Sequence, residues 1–568
     1  MFTINILFLM SVALVLAIYR YIYPKKAISP LIALFIISCL PIISVFRQGV
    51  YESGDFVLHI YRAMDFYQSL SEGNIFPSWA GNLNAHYGYP LFLFINPLPY
   101  YLISFFHCLG FSFITSMKIF LATSYISSGI AMYLFLKQLL SNEKSAFVAA
   151  IFYLFAPYHL IDQHFRVTVG EIAIFTTLPL LCYAGMLLCK KRTVVRFLSV
   201  SFCTILVISS HQAMATFALP LSLLLFLFFG WKNKLSFIWF ALGIVTGILF
   251  SSYLLYPYIS YTHFVHVSSY TQVIFQPLSD LFYSKWRGGF LYQGPNGELV
   301  TPIGYAHLLI LPMFVYIYFK KKKFKSLTIT LLLLTTLLFF LLTPYSRTIW
   351  NTIPLIHLLI LPSRLLLFIS FLTAIIAGIV AIYTFNRVFI LLLIASPILV
   401  SLLNWGARNT IYPIGDQVLR QELPFSTKGP EGWGIGIPKW KTPMEFEGNI
   451  PNEPLSTLEG TGVIKNLKRT TTYHSYVVST NTNTILLEKT WYFPGWFAYI
   501  DTKPTPILTS LKGYEGIIAV TIPSGLHKLE FKYKDDTVLK TLKDMLLIFI
   551  MVYGVLCARL LVKKRQNS

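Results

Sequence analysis

Apolar runs of roughly 17 to 22 residues, each able to cross a bilayer as a helix, recur along this chain and leave little room for another architecture. They fall at 3–22, 29–47, 114–136, 145–160, 171–189, 194–211, 213–230, 236–257, 302–319, 326–343, 365–384, 388–404 and 542–561, thirteen in all. Hydrophobic residues make up 55% of the 568, charged residues only 12%, and mean hydropathy is +0.64, so a soluble core is excluded. The expected fold class is an α-helical polytopic membrane protein. A formal charge of +22 would suit a polyanion, but the basic residues cluster between apolar runs, as at Lys25–Lys26, Lys190–Arg192, Lys320–Lys325 and Lys563–Arg565. Alternating the spans puts these clusters on one side, which the positive-inside rule makes cytoplasmic. They report topology, and no nucleic-acid partner is implied. The six cysteines all lie in apolar stretches, so neither a disulfide framework nor a CxxC metal site is expected. The first run lacks a basic leader and a cleavage site, and reads as a retained helix.

Tyr51–Tyr101 interrupts this pattern with Glu52, Asp55, His59, Arg62, Asp65 and Glu72, groups that hydrocarbon does not accommodate cheaply. A helix starting after Gly54 places Asp55, His59 and Arg62 on one face, flanked by Phe56, Phe66 and Tyr67. That face meets either solvent or a cavity. Asn96–Leu109, broken by Pro97 and Pro99, is too short to cross and is expected as a juxtamembrane or re-entrant helix. With this topology the 48–113 loop, Ile161–Gly170, Tyr258–Thr301, Pro344–Arg364 and the region 405–540 all lie outside. Of nine acidic residues before position 410, only Glu143 is then inside.

Residues 405–540 are a different kind of polymer. Glycine, proline, asparagine and threonine punctuate short alternating runs such as Thr484–Glu488 and His527–Tyr533, which predicts a sandwich-like all-β domain. The expected organisation is a transmembrane domain over 1–404, a β-domain over 405–540, and an anchor and tail over 541–568. Trp491, Phe493 and Trp496 suit its core better than a sugar-stacking platform.

No Walker loop, GxGxxG, HExxH or GxSxG is present, which removes support for nucleotide-driven and zinc-protease chemistry. The second loop, DQHFRVTVGE, offers Asp162, His164, Arg166 and Glu171. His211 ends the sixth span, and HLLILPSRLLLF brings Arg364 to the start of the eleventh. Glu171 suits a helix N-terminus electrostatically, and Arg364 has an interfacial reading by snorkelling. Gathered on one membrane face, these groups are what a lipid-phosphate substrate requires: arginine matches phosphate bidentately, and a carboxylate takes a proton from an acceptor hydroxyl.

Three segments carry a resemblance. GDFVLHIYRAMDFYQSLSEGNIFPSWAGNLNAHYGYPLFLFINPLPYYL, YHLIDQHFRVTVGEIAIFTTLPL and HLLILPSRLLLF, with WYFPGWFAYID in the polar region, resemble elements of the GT-C superfamily of polyprenyl-phosphate-sugar glycosyltransferases. In particular the chain resembles the bacterial membrane proteins labelled "6-pyruvoyl-tetrahydropterin synthase-related", a label that implies no pterin chemistry here. The resemblance implies an inverting transfer from a polyprenyl-phosphate-linked sugar to a glycan, lipid or protein acceptor at the outer face of the bacterial inner membrane. Asp55 would be the base or a metal anchor, and Glu171 the second-loop acid. Arg166 and Arg364 would hold the donor phosphate. Read from the loops themselves, His59, Arg62, Asp162 and His211 are further substrate-binding candidates. The sequence departs from a paired-acid first loop, because Phe56 follows Asp55; a divalent cation shared by Asp55 with Glu171 or Asp162 stays open. Two other classes compete: a transporter or flippase of a lipid-linked saccharide, and a non-catalytic envelope scaffold.

Overall fold

The computed structural model describes residues 2–26, 28–229, 234–266, 273–282, 300–320, 325–353, 356, 358–384, 386–406, 411–412, 414–422, 436–439 and 453–566. Parts of the 258–301 and 405–540 regions, and most of the Lys320–Lys325 cluster, lie outside these residues. An apolar helix stands at each expected segment. By length and composition five helices can cross a membrane: Ile4–Ile22, Phe113–Leu140, Val169–Lys190, Pro362–Ile382 and Thr537–Lys563. Three sharply bent pairs raise the number to eight, and the other five segments carry apolar helices of 10–17 residues.

Near the N-terminus come α1 (Phe2–Ile22), α2 (Pro30–Ile42), α3 (Phe56–Ser71) and α4 (Pro97–Cys108). They are followed by α5 (Phe113–Leu140), α6 (Glu143–Leu154), α7 (Pro157–Ile161), α8 (Val169–Lys190), α9 (Val194–Ser210) and α10 (Gln212–Phe229). The bundle is built around Leu366–Ile382, a helix apolar on every side; 94% of its window is buried. It packs on α6, and α5 packs on α6 and α8. Helix α1 and the terminal helix Thr537–Gln566 lie at the rim, with 6% and 11% of their windows buried.

Two local deviations shape the charged end of the bundle. The segment 161–170, expected as a loop, continues the chain direction of α7 as a π-helical turn over Asp162–Arg166. Pro157 restarts the helix after α6 ends, because its missing N–H costs nothing at the first helical position. Val167 then stops the turn in the left-handed region at φ 57°, a conformation a β-branched side chain resists. Its N–H closes on the Asp162 carbonyl at 2.8 Å.

The first loop is an ordered layer. Helix α3 does not present a solvated stripe: His59 and Asp65 are buried among aromatic residues of α4 and the following turns. Asp65 accepts from the Asn82 side-chain amide at 2.6 Å and its backbone N–H at 3.3 Å; burial nevertheless raises its pKa to about 7.

The short strands β1 (Val50–Tyr51), β2 (Val265–His266), β3 (Ile411–Tyr412) and β4 (Ile437–Pro438) pair as β1–β3 and β2–β4. Strands β5 (Leu455–Glu459), β6 (Gly462–Arg469), β7 (Tyr473–Thr480) and β8 (Thr484–Trp491) precede β9 (Trp496–Ile500), β10 (Lys503–Thr505), β11 (Ile517–Ile522) and β12 (Gly525–Tyr533). They form an antiparallel five-stranded sheet of order β10-β9-β12-β7-β6 and a three-stranded sheet of order β11-β8-β5. Val478, Leu529 and Phe531 of one sheet share a buried core with Leu486, Ile518 and Val520 of the other. Tyr412 pairs with Val50, the helix Asp416–Glu422 packs on α3, and the two sheets start only at Leu455. Composition marked 405–452 as polar; of its described parts, Ile411–Tyr412 and Asp416–Glu422 pack on the first loop, and Ile437–Pro438 pairs with Val265–His266.

Trp79 joins the two layers. Almost fully buried, it packs at ring-centroid distances of 5.4 Å from Trp496, 5.5 Å from Tyr533 and 6.3 Å from Phe493. The aromatic residues of the β-domain therefore pack inward, as the core reading expected. Glu72 accepts from the Thr471 N–H at 2.8 Å, and Lys543 pairs with Asp535 at 2.6 Å beside Ser78. Replacing Trp79 by Ala should cost about 3–5 kcal/mol and loosen this joint first. Limited proteolysis should cut near Pro454 in the variant while α5 to α8 stay protected.

Candidate active site

Glu171 organises the charged end of the bundle. It stands in the first turn of α8 with no exposed surface, and a bare carboxylate there would be costly without partners. It has three. Oε1 accepts from Arg166 Nη2 and Arg364 Nε, both at 2.9 Å; Oε2 accepts from the Tyr158 hydroxyl at 2.6 Å and Arg166 Nη1 at 3.1 Å. Arg166 Nη1 also donates to the Tyr158 oxygen at 2.6 Å. Its carboxylate is thus occupied by side chains, beyond what helix-end electrostatics alone would provide.

The two guanidiniums differ in what remains free. Arg166 is used up by Glu171, Tyr158 and Asp162, whose Oδ1 lies 3.1 Å from Nη1. That last contact is close enough for charge attraction but is not aligned as a hydrogen bond. Arg364, at the entrance of the central helix, gives Nε to Glu171 and Nη1 to the Leu359 carbonyl at 2.8 Å. Among the described residues its Nη2 has no hydrogen-bond partner.

Asp55 is pinned against this cluster by its backbone. Gly54 N–H donates to the Phe165 carbonyl at 2.7 Å and Asp55 N–H to the Arg166 carbonyl at 2.9 Å. The approach favours glycine: a Cβ on Gly54 would sit 3.0 Å from the Arg166 carbonyl oxygen, a tight contact. Asp55 precedes α3 as its N-cap, yet its side chain does not cap the helix. Its carboxylate lies within electrostatic reach of Arg166, Arg62 and Arg364. Burial raises its pKa above the ordinary carboxylate range, and the three guanidiniums only partly offset that.

The remaining expected residues divide. His211 ends α9 buried next to the cluster, its charge environment set by Arg364, Glu171 and Arg166; its Nδ1 accepts from the Met214 N–H at 3.3 Å. Arg62 lies against the Tyr100 and Tyr89 hydroxyls and reaches toward Asp55. His59 does not join the cluster through any direct contact. It turns into the α3–α4 packing, with Nδ1 2.8 Å from the Tyr100 hydroxyl, and burial beside Arg62 keeps it neutral. His164 is buried away from these partners, toward the Pro41 backbone. Sequence reasoning missed Tyr158, which bridges Glu171 and Arg166, and Asn96, whose Oδ1 accepts from the Gln212 N–H at 2.9 Å and ties α4 to α10. Both stand in apolar segments where a single tyrosine or asparagine carries no distinguishing pattern.

Glu171 is committed to its donors rather than to a metal ion. Both Glu171 oxygens are held by guanidinium and hydroxyl donors, Asp162 lies against Arg166, and the described residues contain no group of three His, Cys, Asp or Glu side chains placed as ligands.

Helices that can cross a bilayer, a charged centre at one end of them and a C-terminal β-domain define a polytopic membrane protein with an internal polar site. Residues 92–408, more than half the chain, match the model of the family described as "6-pyruvoyl-tetrahydropterin synthase related domain; membrane protein". The chain belongs to that family. It is 24% identical over 236 residues to an uncharacterized protein of Lactococcus lactis subsp. cremoris (strain MG1363), an alignment covering 40% of this chain and 38% of that one. Among solved structures, it is similar to the archaeal oligosaccharyltransferase AglB from Archaeoglobus fulgidus. There the TM-score is 0.42 with 13% identity, covering 67% of this chain and 56% of that one. Similarity to the arabinofuranosyltransferase AftD from Mycobacteria has a TM-score of 0.39 with 13% identity, covering 67% of this chain and 27% of that one. Likenesses this loose say nothing about chemistry.

Proposed function

We propose that the protein is an inverting glycosyltransferase that moves a sugar from a polyprenyl-phosphate-linked donor to a hydroxyl-bearing acceptor at the extracytoplasmic face of a bacterial inner membrane. The observation that carries this reading is the placement of Asp55 against Arg166, with the free edge of Arg364 nearby. A base and phosphate-binding guanidiniums thereby share one site. The acceptor oxygen attacks the anomeric carbon while its proton passes to Asp55. The bond from the anomeric carbon to the phosphate oxygen breaks, and polyprenyl phosphate leaves as an anion received by the free Nη2 edge of Arg364, with Arg166 adding positive charge behind it. A phosphate leaving group needs no general acid, so one base is enough. Glu171 is a positioning residue, since its oxygens are occupied by the arginines it aims. Arg62 and His211 line the same site, and Asp162 balances Arg166. The basic clusters support a cytoplasmic assignment for the opposite membrane face, with the β-domain outside.

The test is transfer from a radiolabelled synthetic polyprenyl-phosphate sugar to an extract of envelope glycans. Arg364→Lys keeps the charge but loses the planar fork, and should lower transfer by about tenfold or more. Movement of intact donor between leaflets with no new glycosidic bond would replace this reading with a flippase.

A further inference from the structure

A second polar cavity, of about 370 Å³, lies between the start of α5, the 46–49 turn and residues 414–416. Two cations line it, Arg47 and Lys118, together with Gln48 and the hydroxyl-bearing Ser112 and Thr115. Lys118 spends two of its three N–H donors on the Arg47 and Gly49 carbonyls, which anchors the ammonium in the wall. Arg47 is different. Its Nε and Nη2 are shielded from solvent and have no hydrogen-bond partner among the described residues, an arrangement that is costly unless something else accepts from them. The wall contains one acid, Asp416, whose carboxylate is taken up by the backbone N–H groups of Phe113 at 2.7 Å and Ile114 at 3.3 Å. Two cations against one committed carboxylate leave the cavity positive. Apolar surface adjoins it: Phe46, which lines the cavity, is 47% exposed, and Phe111, the chain neighbour of the lining residue Ser112, is 44% exposed. In a membrane protein, exposed phenylalanine rings beside a polar pocket suit the boundary between headgroups and acyl chains.

We infer that this cavity binds the phosphate of a membrane amphiphile, with the Arg47 guanidinium as principal donor and Phe46 against the chain. The site is separate from the Glu171 centre, so it stands or falls independently of the transfer reaction. Planar guanidinium and phosphate oxygens match in a bidentate way, and the exposed phenylalanines favour a lipid over a freely diffusing anion.

The full-length protein in nanodiscs, titrated with phosphatidylglycerol or with diacylglycerol, tests the assignment by native mass spectrometry. Phosphatidylglycerol should be retained and diacylglycerol should not. Arg47→Gln should weaken retention about tenfold or more. Gln48→Glu, at an exposed position where folding is not at risk, should do the same by placing a carboxylate in the pocket. Equal retention by wild type and both variants would overturn the assignment. So would equal retention of the phosphate-free lipid, or Arg47-dependent binding of inorganic phosphate as tight as that of the lipid.

Discussion

Replacing Asp55 by Asn should abolish sugar transfer, lowering it by about 10²–10⁴-fold, the usual contribution of a general base. The substitution is isosteric, and the backbone bonds from Gly54 and Asp55 to the 165–166 carbonyls do not involve the side chain, so folding and insertion should be unaffected. The pH dependence supplies a second readout. Burial raises the pKa of Asp55, so its basic form appears only above the ordinary carboxylate range. Transfer by the wild-type protein should therefore rise with pH through an acid limb displaced upward from pH ~4, and the residual activity of the variant should lack that limb. Full activity in Asp55→Asn would remove the proposed base.

Glu171→Gln should lower stability and transfer together. Glutamine keeps one acceptor oxygen but puts an amide donor where Arg166, Arg364 and Tyr158 now converge, and removes the carboxylate that both guanidiniums hydrogen-bond, leaving Asp162 and Asp55 as their nearest counter-charges. Breaking one partner out of a buried ion cluster costs about 3–5 kcal/mol, which should appear as a lowered unfolding temperature in detergent together with loss of transfer. Adding Arg364→Met to that variant should recover part of the stability and none of the activity. A Glu171→Gln protein as stable as wild type would show that the cluster is not the element that holds the three segments together.

Much of the first loop was legible locally. The helix expected after Gly54 starts at Phe56, where the Ser53 hydroxyl accepts from the Phe56 N–H at 3.2 Å. The proline pair led to α4, which begins at Pro97. The partners of these residues were not legible. Glu171 and Arg364 stand 193 residues apart, and no spacing rule connects them. Tyr158 and Trp79 lie in sequences where aromatic residues are ordinary, so their bridging positions appear only once α7, α8 and the β-domain are packed. The polar composition of 405–452 suggested one continuous β-domain; the pairing of Ile411–Tyr412 with the first loop depends on a contact over more than three hundred residues that alternation does not encode. His59 illustrates the reverse case. Its helical spacing from Asp55 was right, but rotation of α3 against Tyr100 turned the imidazole into the packing layer.

The sequence by itself determined that this chain lives in a membrane and that it carries ionisable groups between its apolar helices. Both follow from local chemistry, because twenty apolar residues in a row have one low-energy environment and a cluster of carboxylates and guanidiniums has another. Only the tertiary structure decided that Asp55, Arg166, Glu171 and Arg364 meet, and that His59 does not join them. Charge pairing in a low-dielectric interior depends on ångström-scale distances set by helix packing, and those distances come from the apolar faces of segments far apart in the chain.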